Sequence, residues 1–335
     1  MTLMPITYVG KDYDYLAPLA CGDVTAEGIT LKVDRVPETM AGGGAQIRFV
    51  SNPSIEAGEF SFSLYLIGLS RGERNLVGIP FFPYRGFRHR CIYVRRDSGL
   101  CTGKDLEGKR VGLNSWKATG MVWTRAALRE EGVQLNSVNW IIGPMDTSGR
   151  DVGHGKADPD CPSYVQASPS GRTLEAMLIA GELDAMFSPA PPRSYHVAGS
   201  PVVRLFADYR RVEKDYYTRT GIYPAHHIVV LRREVFERDP CTARSLYSML
   251  ERAKLQWQER RRGLAETTPW IEAELEETIQ VFGADWQPSG VDANSRLIRI
   301  LCEEEYAQGL LQRALDPSEI FADFEWIAKG QSVGR

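Results

Sequence analysis

Long apolar runs are missing from this chain. No stretch approaches the ~18 uninterrupted apolar residues that a membrane-spanning helix requires, and the first residues, MTLMPITYVGKDYDYLAP, show no basic region followed by a sustained apolar run, so no signal peptide is expected. A strong net charge is missing too. Forty Lys and Arg stand against 43 Asp and Glu, for a net charge of -3, which offers a polyanion no overall attraction and argues against nucleic acid as a partner. The six cysteines (Cys21, Cys91, Cys101, Cys161, Cys241 and Cys302) contain no CxxC pair. Their scatter fits free thiols in a reducing cytoplasm better than a disulfide framework. Neither GxxxxGK[ST] nor GxGxxG follows a strand-like segment, which leaves nucleotide binding without support. Repeats and coiled-coil heptads are absent as well, which argues against an interaction scaffold.

What remains is an ordinary globular composition, 43% hydrophobic over 335 residues, enough for about two domains. Its most unusual stretch is residues 81–93, FFPYRGFRHRCIY. Arg85, Arg88, His89 and Arg90 fall within six positions, with no acid among them, and run directly into the apolar strand 91–94. Cations pinned at the start of a buried strand suit charge-assisted hydrogen bonds to a carboxylate. A solvated basic turn is the bland reading of the same residues.

Elsewhere the pattern alternates strand and helix. Residues 29–34 alternate with period two, as a half-buried strand does; a helix is expected near 45–50. In 59–65, EFSFSLY, small hydroxyls alternate with large apolar residues, so Ser61 and Ser63 are expected to share one face, unless they are merely surface or capping residues. A helix follows to residue 70, then a short strand at 76–79. The segment DLEGKRVGL, residues 105–113, reads as a turn and a strand, followed by NSWKATG and a helix that stops at Gly132. Such a helix start aims amide donors and the hydroxyls of Ser115 and Thr119 beyond the strand end. Arg172, at the start of the next helix (172–180), is expected to reach the same crevice.

Between them, residues 143–171 are rich in Gly, Pro, Ser and Asp, the composition of a lid, binding loop or disordered segment. They include His154, Asp158, Asp160 and Cys161, at spacings that match no zinc or calcium pattern; no metal site is expected. Residues 220–231, TGIYPAHHIVVL, place polar residues directly before another buried strand. His226 and His227 must point to opposite faces, one toward a site and one toward packing. The rest is helical, with Leu246, Met249, Leu250, Ala253 and Trp257 on one apolar face.

Alternating strands and helices argue for α/β architecture with mostly parallel sheets. The expected organisation is a first lobe of residues 1–94 and 225–335, and an inserted lobe of 95–224, with a ligand cleft at their interface. DLEGKRVGL, TLEAMLIAGELDAMFSP and this two-crossover order resemble the type II periplasmic-binding-protein fold of solute receptors. Within it, VGIPFFPYRGFRHRCIYV, GLNSWKATGMVW, GRTLEAMLIAGELDA and DYRRVEKDYYTRTGIYPAHHIVV resemble the 4,5-dihydroxyphthalate decarboxylases.

The resemblance implies a cytoplasmic enzyme of aromatic (phthalate) catabolism, without cofactor or metal, that converts 4,5-dihydroxyphthalate to protocatechuate and CO2. The residues suit that chemistry. Arg85 and Arg88 are the candidates to clamp carboxylates, helped by Ser61, Ser63, Ser115, Thr119 and Arg172. A hydroxyl para to the departing carboxylate loads electron density onto the carbon to be protonated. His89 and His227 are the candidate acids, with the other histidine or Tyr223 holding a catechol hydroxyl. A catechol-bound divalent metal is a further possibility, for which no ligand set is visible. The rival reading is a protein of the same fold that binds an aromatic carboxylate without turnover. The expected partner is a small aromatic acid, not nucleic acid or membrane, and homo-oligomerisation is left open.

Overall fold

Short β-branched runs separated by amphipathic helices give two separate sheets. The computed structural model describes residues 3–26, 28–37, 44–146, 161–263 and 269–330. Two compact units are formed: Met1–Arg85 with His227–Arg299 and Leu315–Arg335, and Gly86–His226 with Ile300–Ala314. The chain thus passes from one unit to the other inside the basic run, between the paired histidines, and again at residues 299–300 and 314–315.

The first unit holds β1 (Met4–Lys11), β2 (Ile29–Val36), β3 (Ala57–Ser61), β4 (Leu76–Ile79) and β11 (His227–Arg232), in the order β2-β1-β3-β11-β4. β1 runs parallel to β2 and β3, whereas β11, arriving after the long excursion, is antiparallel to β3 and β4. Helix Cys241–Gly263 covers this sheet with Leu246, Met249, Leu250 and Ala253, all buried, while Trp257 packs partly buried against the same core. These positions recur at helical spacing, as a single apolar stripe requires.

One segment departs from its sequence pattern. β3 ends at Ser61 instead of continuing through Tyr65, and helix Phe62–Ser70 begins there. Ser61 keeps an extended backbone and its hydroxyl accepts from the Leu64 amide at 3.4 Å, which makes it the helix N-cap. Ser61 and Ser63 therefore do not share a strand face.

The second unit holds β5 (Ile92–Arg95), β6 (Arg110–Leu113), β7 (Asn139–Ile142), β8 (Val165–Ala167), β9 (Ala185–Phe187) and β10 (Val202–Arg204), in the order β10-β5-β9-β6-β7-β8. The strand after the basic run, β5, belongs to this sheet, antiparallel to β9 and β10. The core below it gathers Tyr93, Leu174, Met177, Leu178, Leu183, Met186 and Val202. Of the loop 143–171, residues 147–160, with His154, Asp158 and Asp160, lie outside the described residues. Among the described residues, no helix is long and apolar enough to cross a membrane.

Candidate active site

The chemistry of the first unit centres on Glu59. It sits in the middle of β3, itself between β1 and β11, and is only 1% exposed. A carboxylate is seldom buried so deeply without partners, and the sheet register supplies one. Glu59 opposes Val229, so His227, two residues earlier on the antiparallel strand, is its diagonal neighbour on the same face. His227 Nδ1 bonds Glu59 Oε1, which also accepts from the Tyr13 hydroxyl at 2.7 Å, while Oε2 accepts from the Lys11 amide at 2.8 Å.

Burial opposes ionisation of Glu59. The charge and hydrogen bond of His227, followed by Lys11, outweigh it and hold the carboxyl below its ordinary range. Burial first, and then the Glu59 charge, push the Tyr13 hydroxyl well above its usual value, so Tyr13 stays a donor. A carboxylate on Nδ1 fixes the imidazole tautomer and leaves Nε2 as the nitrogen for proton exchange. The His227 side chain keeps 17% of its surface accessible. Tyr84 stands beside it, with ring centres 5.5 Å apart, and the Lys11 ammonium lies 4.9 Å from the centre of the same Tyr84 ring.

The basic run divides by role. Arg85, in the first unit, is buried and donates to the Pro288 carbonyl at 2.8 Å and to Asn294, with its guanidinium 4.9 Å from the Phe82 ring centre. Arg88, in the second unit, lies against the first turn of helix Thr119–Glu130. A Cβ added at Gly120 would come within 2.8 Å of its guanidinium carbon, so glycine there is what lets the cation approach. Arg88 also donates to Cys91 Sγ at 3.7 Å. Thr119 is buried at the start of this helix, and Ser115 turns its hydroxyl to the Ala118 amide at 3.2 Å.

His89 occupies a different environment. It is buried between Tyr216 and Phe206, with ring centres 5.1 and 5.7 Å away, and its Nδ1 finds no hydrogen-bond partner among the described residues. Burial pushes its pKa down to about 4, the Arg219 charge adding to the effect and Glu130 opposing it. This imidazole is neutral near pH 7. His226 is buried with Nε2 2.7 Å from the Gly86 carbonyl, so the doubled histidine divides as strand geometry demands: His226 to packing, His227 to the half-open face. Tyr223 lies tilted against Phe87, with ring centres 5.1 Å apart. Ser63 is fully buried in its helix. Arg172 pairs with Glu182 at the surface and meets none of these groups.

The two most distinctive sequence elements are packing partners within the second unit. Phe87 and His89 meet Tyr216 on helix Tyr209–Thr220, and the Arg90 amide donates to Glu213 at 3.2 Å. Gly86 donates to the Pro224 carbonyl at 3.0 Å. Gly221 ends the helix at φ 65°, the left-handed value that glycine adopts without strain.

Among the described residues, no group of three His, Cys, Asp or Glu side chains is arranged to hold a metal ion. Glu59, Lys11, Tyr13 and Tyr84 were not legible as site residues from the sequence. The one available signal was the lone acid inside the apolar strand AGEFS.

No protein-family model matches the chain. It is 31% identical over 221 residues to 4,5-dihydroxyphthalate decarboxylase of Pseudomonas putida, covering 65% of this chain and 83% of that one. The chain belongs to the 4,5-dihydroxyphthalate decarboxylase family. The namesake of Comamonas testosteroni is 29% identical over 327 residues, covering 96% of this chain and 97% of the relative. The family is one of carboxy-lyases, and this member is an enzyme of that class.

Among solved structures, the periplasmic aliphatic sulphonate binding protein SsuA of Escherichia coli matches with a TM-score of 0.55 at 13% identity, over 95% of this chain and 97% of SsuA. The desulfurization enzyme DszB matches with 0.51 at 16% identity, over 98% and 100%. At these identities the likeness shows the fold alone: this member has the periplasmic-binding-protein fold.

Proposed function

We propose that this chain converts 4,5-dihydroxyphthalate to protocatechuate and CO2 by protonating the ring carbon that carries the departing carboxylate. The observation that carries the reading is the pair formed by buried Glu59 and half-open His227. The family membership supplies the substrate, and the pair suits the proton that this reaction consumes.

The step balances without a cofactor. A ring hydroxyl para to the departing carboxylate, once ionised, delivers electron density to the carbon across the ring. His227 Nε2 gives its proton to that carbon, which becomes tetrahedral. The bond to the carboxylate then breaks, its electron pair restores the aromatic ring, and CO2 leaves. A proton from solvent recharges the imidazole, so the net uptake is one proton for one CO2. Glu59 keeps the imidazolium in place and offsets its charge. We assign the proton to His227 rather than to His89, which burial keeps neutral.

Arg88 is the residue we assign to a carboxylate within the second unit. A guanidinium beside the positive end of a helix has the wrong sign for that position on its own account, but the two together favour an anion that both can reach. Arg85 is left the role of holding the 288–294 segment through the bonds described above. Six cysteines that form no disulfide among the described residues support a reducing, cytoplasmic setting.

The likeness to SsuA favours a second reading, binding of an aromatic acid without turnover. Incubating the purified protein with 4,5-dihydroxyphthalate in the presence and absence of a chelator separates the two. The proposal expects equal amounts of CO2 and protocatechuate in both; tight binding with no CO2 would leave a receptor, and activity lost to the chelator and restored by a metal would overturn the cofactor-free step.

A further inference from the structure

We infer that Lys11 contacts the substrate: its ammonium holds the ionised ring hydroxyl para to the departing carboxylate, while Tyr84 provides the face against which the ring lies. The inference rests on the decarboxylase reading above and adds to it the group that supplies the electron push.

Lys11 is the last residue of β1, and its own amide is tied to Glu59 Oε2 at 2.8 Å. Its position is therefore fixed to the acid–base pair by the backbone, whatever its side chain does. The ammonium makes no hydrogen bond or ion pair among the described residues; it rests over the Tyr84 ring. Nearby acids are already engaged. Asp12 pairs with Arg35 at 3.0 Å, and Glu59 takes His227, Tyr13 and the Lys11 amide. A half-buried ammonium held against an aromatic face, whose charge acts on Glu59 without forming an ion pair with it, is placed to receive a further anion.

The geometry matches the two ends of one reaction. Protonation occurs at one ring carbon while negative charge must sit on the oxygen directly across the ring. His227 and the Lys11 ammonium both lie within 5.5 Å of the Tyr84 ring centre, and Tyr13 stacks on the same ring at 6.4 Å, so an acid and a cation share one aromatic neighbour. A neutral hydroxyl donates much less density than a phenolate. An opposite charge at ~4–6 Å lowers an acid's pKa by roughly 1 to 3, which makes the reactive phenolate roughly 10- to 1,000-fold more abundant. The other titratable groups around the ammonium are Glu59, His227, Tyr13 and Tyr84.

Protocatechuate, which keeps both hydroxyls and has already lost the reacting carboxylate, is the probe. Its catecholate absorption is titrated with pH free, bound to wild type, and bound to K11M and K11R, alongside kcat on 4,5-dihydroxyphthalate. The expected result is a bound phenol pKa lowered by roughly 1 to 3 in wild type, restored to the free value in K11M with kcat reduced roughly 10- to 1,000-fold, and largely preserved in K11R. A K11M protein that binds protocatechuate with the wild-type phenol pKa overturns the inference even if its kcat falls. Wild type that turns over substrate but binds protocatechuate with an unshifted phenol pKa overturns it as well. Wild type that neither binds protocatechuate nor releases CO2 refutes the decarboxylase reading beneath it.

Discussion

Replacing Glu59 by glutamine keeps the shape of the side chain and removes its charge, so E59Q isolates what the carboxylate does for His227. Three donors converge on this carboxylate: the Tyr13 hydroxyl, the Lys11 amide and His227 Nδ1. Glutamine has one acceptor oxygen and one donor amine. With its oxygen toward Tyr13 and His227, its amine faces the Lys11 N–H, and an unsatisfied buried donor costs about 1–3 kcal/mol. Turned the other way, it forces His227 Nδ1 to accept, which moves the proton to Nε2 and reverses the tautomer. Either way the ring loses the carboxylate charge beside it. Because a placed general acid contributes roughly 10²- to 10⁴-fold, kcat for CO2 release should fall by that order, with KM little changed. Urea unfolding at neutral pH should show the loss of about 1–3 kcal/mol. The charge of Glu59 contributes stability above the ordinary carboxylate range, lost as pH falls through its lowered pKa, and E59Q should lack that acid-side loss. A folded E59Q enzyme with wild-type kcat would refute the reasoning.

Two further substitutions separate packing from chemistry. His89 is neutral in the fold down to about pH 4 but takes a proton near pH 6.5 when unfolded, so the unfolded chain binds more protons between these values and wild-type stability falls as pH drops through them, by about 3 kcal/mol in total. H89F should flatten that slope in urea unfolding at a series of pH values while keeping turnover; an unchanged slope would contradict the buried neutral imidazole. At Gly120 the three atoms nearest an added Cβ all belong to the far end of the flexible Arg88 side chain, so G120A should fold normally, displace the guanidinium and weaken binding of phthalate, measured by calorimetry, roughly 10- to 100-fold; an unchanged affinity would remove Arg88 from carboxylate binding.

The elements that sequence periodicity can encode were legible: the alternation of β2, the apolar stripe of helix Cys241–Gly263 and the glycine stop at Gly132 all lie where the pattern puts them. The exchange from strand to helix at Ser61 was not. FSFSLY satisfies period two as well as a helix start does, and the capping hydroxyl decides between them only through its bond to the Leu64 amide. The basic run showed its charges but not their surroundings. What buries Arg85 and His89 comes from Asn294 and Tyr216, more than a hundred residues away in sequence. Glu59 was overlooked because an acid in a short apolar strand has no local signature of function. Its meaning comes from the β3–β11 register, which brings His227 to its side.

The most direct test of the account is a comparison of H227N with H89N in a single-turnover reaction with 4,5-dihydroxyphthalate near neutral pH, following CO2 and protocatechuate together. The account predicts that H227N loses roughly 10²- to 10⁴-fold in the rate of CO2 release while H89N stays close to wild type. The reverse outcome, with H89N inactive though folded and H227N unimpaired, would contradict it.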